Sequence, residues 1–239
     1  MKILNITIIG NSVALRVRPP KQYPDNVNYT KLLEKELNTQ LPSHNIRLIN
    51  KAVGASTTHD VIQKIDEYIN TFPEFYILNL GVVDASTREI PRWLNQWINS
   101  KKENLILFLL RALFNHFIKR YRPFFVKLRG KRSWISRKKF KKYFSELVQT
   151  LSKETNAKII AIPINPANQR VEKQLPGSLK KHLEYNTIIE KIIKDHSQEI
   201  LNTDFLQSEI HYPDGVHYSL EGHQIVAKEI SKIILKYIR

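Results

Sequence analysis

Short apolar runs alternate along the chain with longer stretches of helical periodicity. The apolar runs predict β-strands at Leu4–Ile9, Ile46–Asn50, Tyr76–Leu80, Lys158–Pro163 and Glu199–Asn202. Apolar residues at helical spacing predict helices at Asn28–Asn38, Thr58–Asn70, Lys138–Thr155, Ser178–Asp195 and Leu220–Tyr237. Short apolar strands separated by helices indicate an α/β fold, in which a mostly parallel sheet is covered by helices on both faces.

The amino-acid composition is consistent with this α/β fold and excludes several kinds of functional site. The chain has 239 residues, 42% hydrophobic and 25% charged, which is typical of a globular protein, and we expect one domain over residues 1–239. The absence of cysteine excludes disulfide scaffolds, thiolate metal sites and cysteine nucleophiles. The apolar N-terminal run is short and is interrupted by Asn5 and Thr7, so it predicts a strand rather than a signal peptide, and a cytoplasmic protein is favoured.

Positive charge is concentrated in one segment. The formal net charge is +16, yet no acid occurs between Asn104 and Ser145. The basic residues of that segment are Arg111, Lys119, Arg120, Arg122, Lys127, Arg129, Lys131, Arg132, Arg137, Lys138, Lys139, Lys141 and Lys142. Without these thirteen residues the net charge is +3. The sequence therefore indicates a nearly neutral domain that carries a basic helical insert at about 101–142.

The insert has three interpretations. Large apolar residues fall on one helical face, at Ile106, Leu109, Leu110, Leu113, Phe114, Phe117 and Tyr121. Pro123 should end or kink this helix, and Phe124, Phe125 and Trp134 follow among basic residues. The segment is either a core-packing helix with a solvated basic face or an amphipathic element for an anionic membrane surface. Nucleic-acid binding ranks last, because no recognition module accompanies the charge.

Candidate chemistry lies where the predicted strands end. In parallel α/β sheets, functional residues gather at the carboxyl edge. The chain places Gly10-Asn11-Ser12 after the first strand, Ala52–Ser56 after the second, Gly81–Asp84 after the third, and Asp214–His217 before the last helix. We expect these four segments to meet at one edge of the sheet.

These residue types favour acyl transfer. A serine that follows a glycine at the start of a helix exposes its hydroxyl beside free backbone N–H groups. Asp214 lies three residues before His217, so its carboxylate can hold Nδ1–H and leave Nε2 free to accept a serine proton. The amides of Ser12 and Gly54 can point at a developing oxyanion. Alternatively, Ser12 is an N-cap and Asp214-Gly215 a turn.

These motifs resemble the SGNH (GDSL-like) hydrolase family, over roughly Met1–Ser100 and Lys158–Arg239. The resemblance implies a flavodoxin-like, three-layer α/β/α fold with a five-stranded sheet in the order 2-1-3-4-5. It also implies Ser12 as nucleophile, His217 as general base, Asp214 as its orienting acid and the amides of Ser12 and Gly54 as the oxyanion hole. No cofactor is implied. No histidine–carboxylate cluster has metal-ligand spacing, so no metal is expected.

Two positions depart from the family pattern. Asn11 stands where the first motif usually has an acid, and Val83 stands where the third motif usually supplies an asparagine as oxyanion donor. Arg16 and Arg18 are candidate substitutes for that donor. Substrate-binding candidates are Asn11, Arg16, Val83 and Asp84, although Asp84 is first of all a candidate helix cap.

The segment after the third strand and the basic, aromatic middle segment resemble SGNH proteins of bacterial surface-polysaccharide clusters. The resemblance favours a serine esterase acting on O-acyl groups of a glycan or lipid-linked glycan. Two alternatives stay open: an O-acyltransferase on a surface-polysaccharide precursor, and a catalytically silent module that binds glycan or membrane. With the basic insert, this implies work at the inner membrane face.

Overall fold

Five parallel strands form one sheet in the order β2-β1-β3-β4-β5. The computed structural model describes residues 2–18, 27–100 and 105–238. The strands are β1 (Lys2–Gly10), β2 (His44–Asn50), β3 (Phe75–Asn79), β4 (Lys158–Ala161) and β5 (Glu199–Ile200). The predicted fold class and strand order are confirmed.

Twelve α-helices occur in the described ranges and pack mainly as two groups. They are α1 (Tyr29–Gln40), α2 (Thr58–Ile62), α3 (Ile65–Ile69), α4 (Val82–Ala85), α5 (Arg92–Ile98), α6 (Leu105–Leu113), α7 (Arg122–Leu128), α8 (Arg137–Glu154), α9 (Gln169–Gln174), α10 (Ser178–Asp195), α11 (Ser208–His211) and α12 (Leu220–Ile238). Helices α1 and α12 pack together, whereas α2, α3 and α10 pack against α8. Right-handed crossovers place the two groups on opposite faces of the sheet.

The central strands are apolar because both of their faces are covered. Every residue of β3 is buried, and so are Ile6, Ile8 and Ile9 of β1. The edge strand β2 has only one fully buried residue, Ile46. This difference is why the middle of the sheet appears in the sequence as continuous apolar runs.

One predicted helix is wrong in its extent. The segment Thr58–Asn70 forms two short helices, α2 and α3, rather than one. At the break, the N–H of Lys64 donates to the Val61 carbonyl, three residues back, so the α-helical hydrogen-bond pattern lapses there.

The insert is a chain of helices. Helix α6 continues into a π-helical turn at Phe114–Ile118, and α7 follows with Pro123 in its first turn, where a missing N–H costs no hydrogen bond. Basic residues 137–142 are also the first turns of α8, which buries Phe140 and Phe144 in the main core.

In α6 and the π-helical turn, one stripe of residues packs inward. Leu107 and Phe114 are buried, and Phe114 contacts Ile90 and Ile98 in a small second core. A different stripe faces outward, and its members are each about half exposed or more. They are Leu105, Leu109, Leu113, Phe117 and Tyr121. Core packing therefore explains only part of the apolar character of this segment.

Candidate active site

The end of β1 sets the position of Ser12. Directly after Gly10, the Asn11 side chain accepts a hydrogen bond from the Val13 N–H (3.1 Å) and caps a 3-10 helix over Ser12–Ala14. A Cβ atom on Gly10 would lie 3.2 Å from both the Ala14 Cβ and the Asn79 carbonyl oxygen. The tight turn therefore favours glycine, and it presents Ser12 at the carboxyl edge of the sheet.

Three of the predicted residues form one hydrogen-bonded chain. The Ser12 Oγ lies 2.9 Å from the His217 Nε2, and the His217 Nδ1 lies 2.8 Å from the Asp214 Oδ2. Ser12 is separated from the other two by almost the whole sequence, so only the folded sheet brings them together. A chain of this kind can move a proton from a serine hydroxyl to an imidazole.

Asp214 is held as a carboxylate. Its Oδ1 accepts from the backbone N–H groups of Val216 (2.9 Å) and His217 (2.7 Å), and its Oδ2 also accepts from the Arg18 Nε (3.2 Å). Burial alone would raise the pKa of Asp214, but the hydrogen bonds from the His217 side chain and from the backbone hold it well below its ordinary value. The ionised carboxylate keeps the imidazole proton on Nδ1 and leaves Nε2 as the acceptor.

Ser12 and His217 open into a cleft of about 450 Å³. Its lining consists of Ser12, Arg16, Gly54, Ala55, Val82, Val83, Ser86, Arg88, Trp134, Leu175, Val216 and His217. The walls are thus largely apolar, with two arginines and no carboxylate among these described residues.

The backbone N–H groups of Ser12 and Gly54 are the two that the sequence predicts as an oxyanion hole. Neither the Ser12 N–H nor the Gly54 N–H donates to another residue within the described ranges. The left-handed position of this turn is Ala55 (φ +60°) rather than Gly54, and a Cβ atom on Gly54 would meet nothing within 4 Å. Gly54 therefore leaves open space in the cleft, where a ligand can approach the backbone.

Residues 6–230 match the family model of the GDSL-like lipases and acylhydrolases. The chain belongs to this family. The protein is therefore an enzyme of the esterase or acylhydrolase class. The family resemblance inferred from the motifs is confirmed. No curated protein matches it in sequence.

Solved structures show the same fold at low sequence identity. The lipase/acylhydrolase from Enterococcus faecalis is 14% identical with a TM-score of 0.66, covering 99% of this chain and 97% of that one. A catalytic mutant of Axe2, an acetylxylan esterase from Geobacillus stearothermophilus, is 16% identical with a TM-score of 0.63, covering 97% and 95%. LAE5, an α/β hydrolase enzyme from the Lake Arreo metagenome, is 15% identical with a TM-score of 0.64, covering 95% and 93%.

The remaining predicted residues of this GDSL-family enzyme have different surroundings. Asn11 is buried as the cap of the 3-10 helix, and Asp84 is buried and accepts from the Thr58 N–H (3.0 Å) and Oγ1 (2.7 Å). Burial raises the pKa of Asp84 to about 7. Neither side chain belongs to the cleft lining formed by the described residues, so both support the backbone around it.

Arg16 and Val83 do line the cleft. Val83 has no polar group, so its side chain supplies no donor to an oxyanion. Arg18 is hydrogen-bonded to Asp214, and it therefore steadies the carboxylate instead of replacing the missing asparagine.

Sequence reasoning missed several cleft residues of the enzyme: Ser86, Arg88, Trp134, Leu175 and Val216. Ser86 makes a second serine–histidine contact, because its Oγ lies 2.9 Å from the buried Nε2 of His182. Burial lowers the pKa of His182 to about 4, and its Nδ1 lies 2.8 Å from the Asn165 carbonyl oxygen. Ser86 and Arg88 directly follow the third motif, which was the one available signal.

Metal-binding clusters and membrane-spanning helices are both absent from the described ranges. Across residues 2–18, 27–100 and 105–238, no three His, Asp or Glu side chains are grouped so that they could hold a metal ion. None of the helices described there is long and apolar enough to span a bilayer.

Proposed function

We propose that this enzyme is a serine esterase that works through Ser12, His217 and Asp214 and an acyl-enzyme intermediate. The observation that carries the proposal is the continuous hydrogen-bonded chain from Asp214 through His217 to the Ser12 hydroxyl. Its free end, the Ser12 Oγ, faces the cleft beside the two free amides.

The first half of the reaction forms the acyl-enzyme. The Ser12 Oγ attacks the ester carbonyl carbon while its proton passes to the His217 Nε2. The amides of Ser12 and Gly54 donate to the oxyanion, and Asp214 stabilises the imidazolium through Nδ1–H. The tetrahedral intermediate then collapses, and His217 returns the proton to the departing alkoxide.

The second half releases the acyl group. Water, activated by the His217 Nε2, attacks the acyl–Ser12 carbonyl, and the acid leaves as Ser12 regains its proton. A sugar hydroxyl can take the place of water, which would make the enzyme an O-acyltransferase. Both reactions share every step up to the acyl-enzyme, so the same residues serve both.

We assign O-acyl groups of a glycan or lipid-linked glycan as the substrate class. The apolar side chains of Val82, Val83, Leu175 and Val216 provide a surface for a short acyl chain. The two arginines and Ser86 provide polar contacts for a sugar. A structural neighbour, Axe2, is an acetylxylan esterase, which supports a carbohydrate ester in a fold of this shape.

Fluorophosphonate labelling followed by intact-mass measurement tests the mechanism. We expect one label per wild-type molecule, none on Ser12→Ala, and a label rate reduced by several orders of magnitude on His217→Ala. Ser86→Ala is the matched control, because Ser86 makes the other serine–histidine contact in the cleft. Labelling that survives Ser12→Ala and disappears in Ser86→Ala would show that Ser86, and not Ser12, is the reactive serine. A folded wild type that never labels would favour a catalytically silent module.

The outward stripe of the insert supports a second proposal, that the enzyme binds an anionic membrane surface. Leu105, Leu109 and Phe117 are at least half exposed, as is Phe124 of α7. Phe124 and Phe117 both contact the ring of Phe125, which connects the two parts of this surface. No acid interrupts the basic segment around them. Apolar side chains flanked by cations are typical of interfacial helices, and each cation contributes about 1 kcal/mol near an anionic leaflet.

Vesicle sedimentation tests this attachment. We expect the enzyme to sediment with vesicles of phosphatidylglycerol and phosphatidylcholine, and much less with phosphatidylcholine alone. Replacing Leu109 and Phe117 by serine should abolish sedimentation without changing turnover of a soluble ester. The control is Phe72→Ser, which removes an exposed aromatic side chain far from the insert. Equal sedimentation of the Leu109/Phe117 variant and the Phe72 variant would contradict the proposal. A dimer formed by two copies of the enzyme through the same surface would contradict it as well.

A further inference from the structure

Within the described residues, one cation of the catalytic cleft, Arg88, forms no ion pair with a carboxylate. Arg88 is part of the cleft lining together with Ser12 and His217. Its neighbour Glu89 is paired with Arg122 instead, at 2.9 Å. The Nε of Arg88 is buried and makes no hydrogen bond within the described part of the chain.

The guanidinium is nevertheless held in a fixed place. Its central carbon lies 4.4 Å from the centre of the Trp134 ring, over the ring face. The backbone is clamped as well, since the Arg88 N–H donates to the Arg132 carbonyl (3.0 Å) and the Arg129 Nη1 donates to the Arg88 carbonyl (2.8 Å). An arginine stacked on an aromatic ring keeps its hydrogen-bonding edge free for a planar oxyanion.

The charge persists at neutral pH. Burial lowers the pKa of Arg88 only to about 10. Glu89 and Asp84 favour the charged form of Arg88, yet within the described residues neither carboxylate forms an ion pair with the guanidinium, so much of its lost hydration is not compensated. The cleft lining contains a second cation, Arg16, and no carboxylate to neutralise either one.

We infer that Arg88 binds an anionic group of the substrate, a carboxylate or a phosphate, beside the ester that Ser12 attacks. This inference rests on the proposed esterase function and narrows its substrate to acylated acidic sugars or sugar phosphates. Hydrogen bonds between charged partners are about twice as strong as neutral ones, and guanidinium pairs both types of oxyanion through two parallel bonds. The bound anion would neutralise Arg88 and fix the sugar relative to the nucleophile.

Three acetyl esters test the charge preference: acetylated methyl glucoside, acetylated methyl glucuronoside and acetylated glucose 6-phosphate. We expect wild type to prefer one or both anionic esters by about 10- to 100-fold in kcat/KM over the neutral one. Which anionic ester is preferred shows whether the bound group is a carboxylate or a phosphate. Arg88→Met should remove the preference, Arg88→Lys should keep part of it, and Arg132→Gln, which removes a nearby cation outside the cleft, should keep all of it. A wild type without preference, or a preference that survives in Arg88→Met, overturns the inference.

Binding separates this inference from the esterase proposal. Calorimetry of Ser12→Ala with unacetylated methyl glucuronoside and with glucose 6-phosphate measures the subsite without turnover. We expect binding of at least one anion that weakens about 10-fold or more when Arg88→Met is added. If that binding holds but wild type cleaves none of the esters, the subsite stands and the esterase proposal fails. If the esters are cleaved without charge preference and neither anion binds, the subsite alone fails.

Discussion

Changing Asp214 to asparagine changes which nitrogen of His217 carries the proton while nearly preserving the size of the side chain. In the native enzyme, one carboxylate oxygen accepts two backbone N–H groups, at 2.7 and 2.9 Å, and the other accepts from the His217 Nδ1. In Asp214→Asn the amide oxygen must stay beneath the backbone donors, because an NH₂ group there would face two N–H groups. The new NH₂ therefore turns towards the imidazole, and the hydrogen bond that the Arg18 Nε donates to this position is lost.

That orientation forces the wrong tautomer. An NH₂ group donates to Nδ1, so the ring proton moves to Nε2 and points at the Ser12 Oγ. An imidazole with a proton on Nε2 cannot accept another from the serine hydroxyl. Loss of the base in this way costs about 10⁴-fold in kcat, or about 5 kcal/mol of transition-state stabilisation.

Steady-state hydrolysis of 4-nitrophenyl acetate measures this loss, and the rate of fluorophosphonate labelling should fall with it. The control is Asp204→Asn, which changes an exposed aspartate remote from the hydrogen-bonded chain. Circular dichroism establishes that both variants are folded. A folded Asp214→Asn that keeps its rate within tenfold of wild type would refute the reasoning, since the tautomer would then not matter.

Four further predictions test the parts around this hydrogen-bonded chain. Val83→Asn should raise kcat at least tenfold by adding a side-chain donor to the oxyanion hole, whereas a steady-state rate equal to that of wild type would show that the position lies out of reach. Burial lowers the pKa of His182 to about 4 in the folded enzyme. As pH falls below about 6.5, this histidine is therefore protonated only in the unfolded chain, and the free energy of unfolding decreases until about pH 4. Urea unfolding should show that this acid-induced loss of unfolding free energy is about 3 kcal/mol smaller in His182→Gln than in wild type. Identical dependence of stability on pH in the two proteins would contradict the prediction. Gly215→Ala should destabilise the fold by about 2 kcal/mol or more, since φ is +83° and the new Cβ would lie 2.3 Å from the Val171 Cγ2. Gly54→Ala should raise KM with little change in stability. If thermal melting showed the same drop in melting temperature for Gly54→Ala and Gly215→Ala, the expected difference in stability would be contradicted.

Much of the fold was readable from local pattern. The runs in β1 and β3 are apolar because those strands are buried on both faces, and a run of that kind is visible without any tertiary information. The break between α2 and α3 was not visible, since the apolar spacing continues through a change in hydrogen bonding at Lys64. The insert was ambiguous for a related reason: its helix is apolar nearly all round, and only packing decides which stripe is covered.

The residues of the candidate site were also predictable only in part. Ser12, Asp214 and His217 were predictable as a group because each follows a short motif whose spacing carries its chemistry, and parallel strands gather such motifs at one edge. The cleft wall was not predictable, because Arg88 and Trp134 meet only where the insert folds back over the segment after β3. The Ser133 hydroxyl donates to the Ala85 carbonyl at that junction.

The sequence by itself therefore determined the family and the strand order expected of it, and it predicted that Ser12, Asp214 and His217 lie together, because these depend on local spacing and on a topology shared by the family. Tertiary structure alone decided that Asn11 and Asp84 are buried beneath the site, and that Arg88 lines the cleft with no ion pair among the described residues. The physical reason is that burial and the pairing of charges are properties of neighbours distant in sequence, and only the folded chain specifies those neighbours.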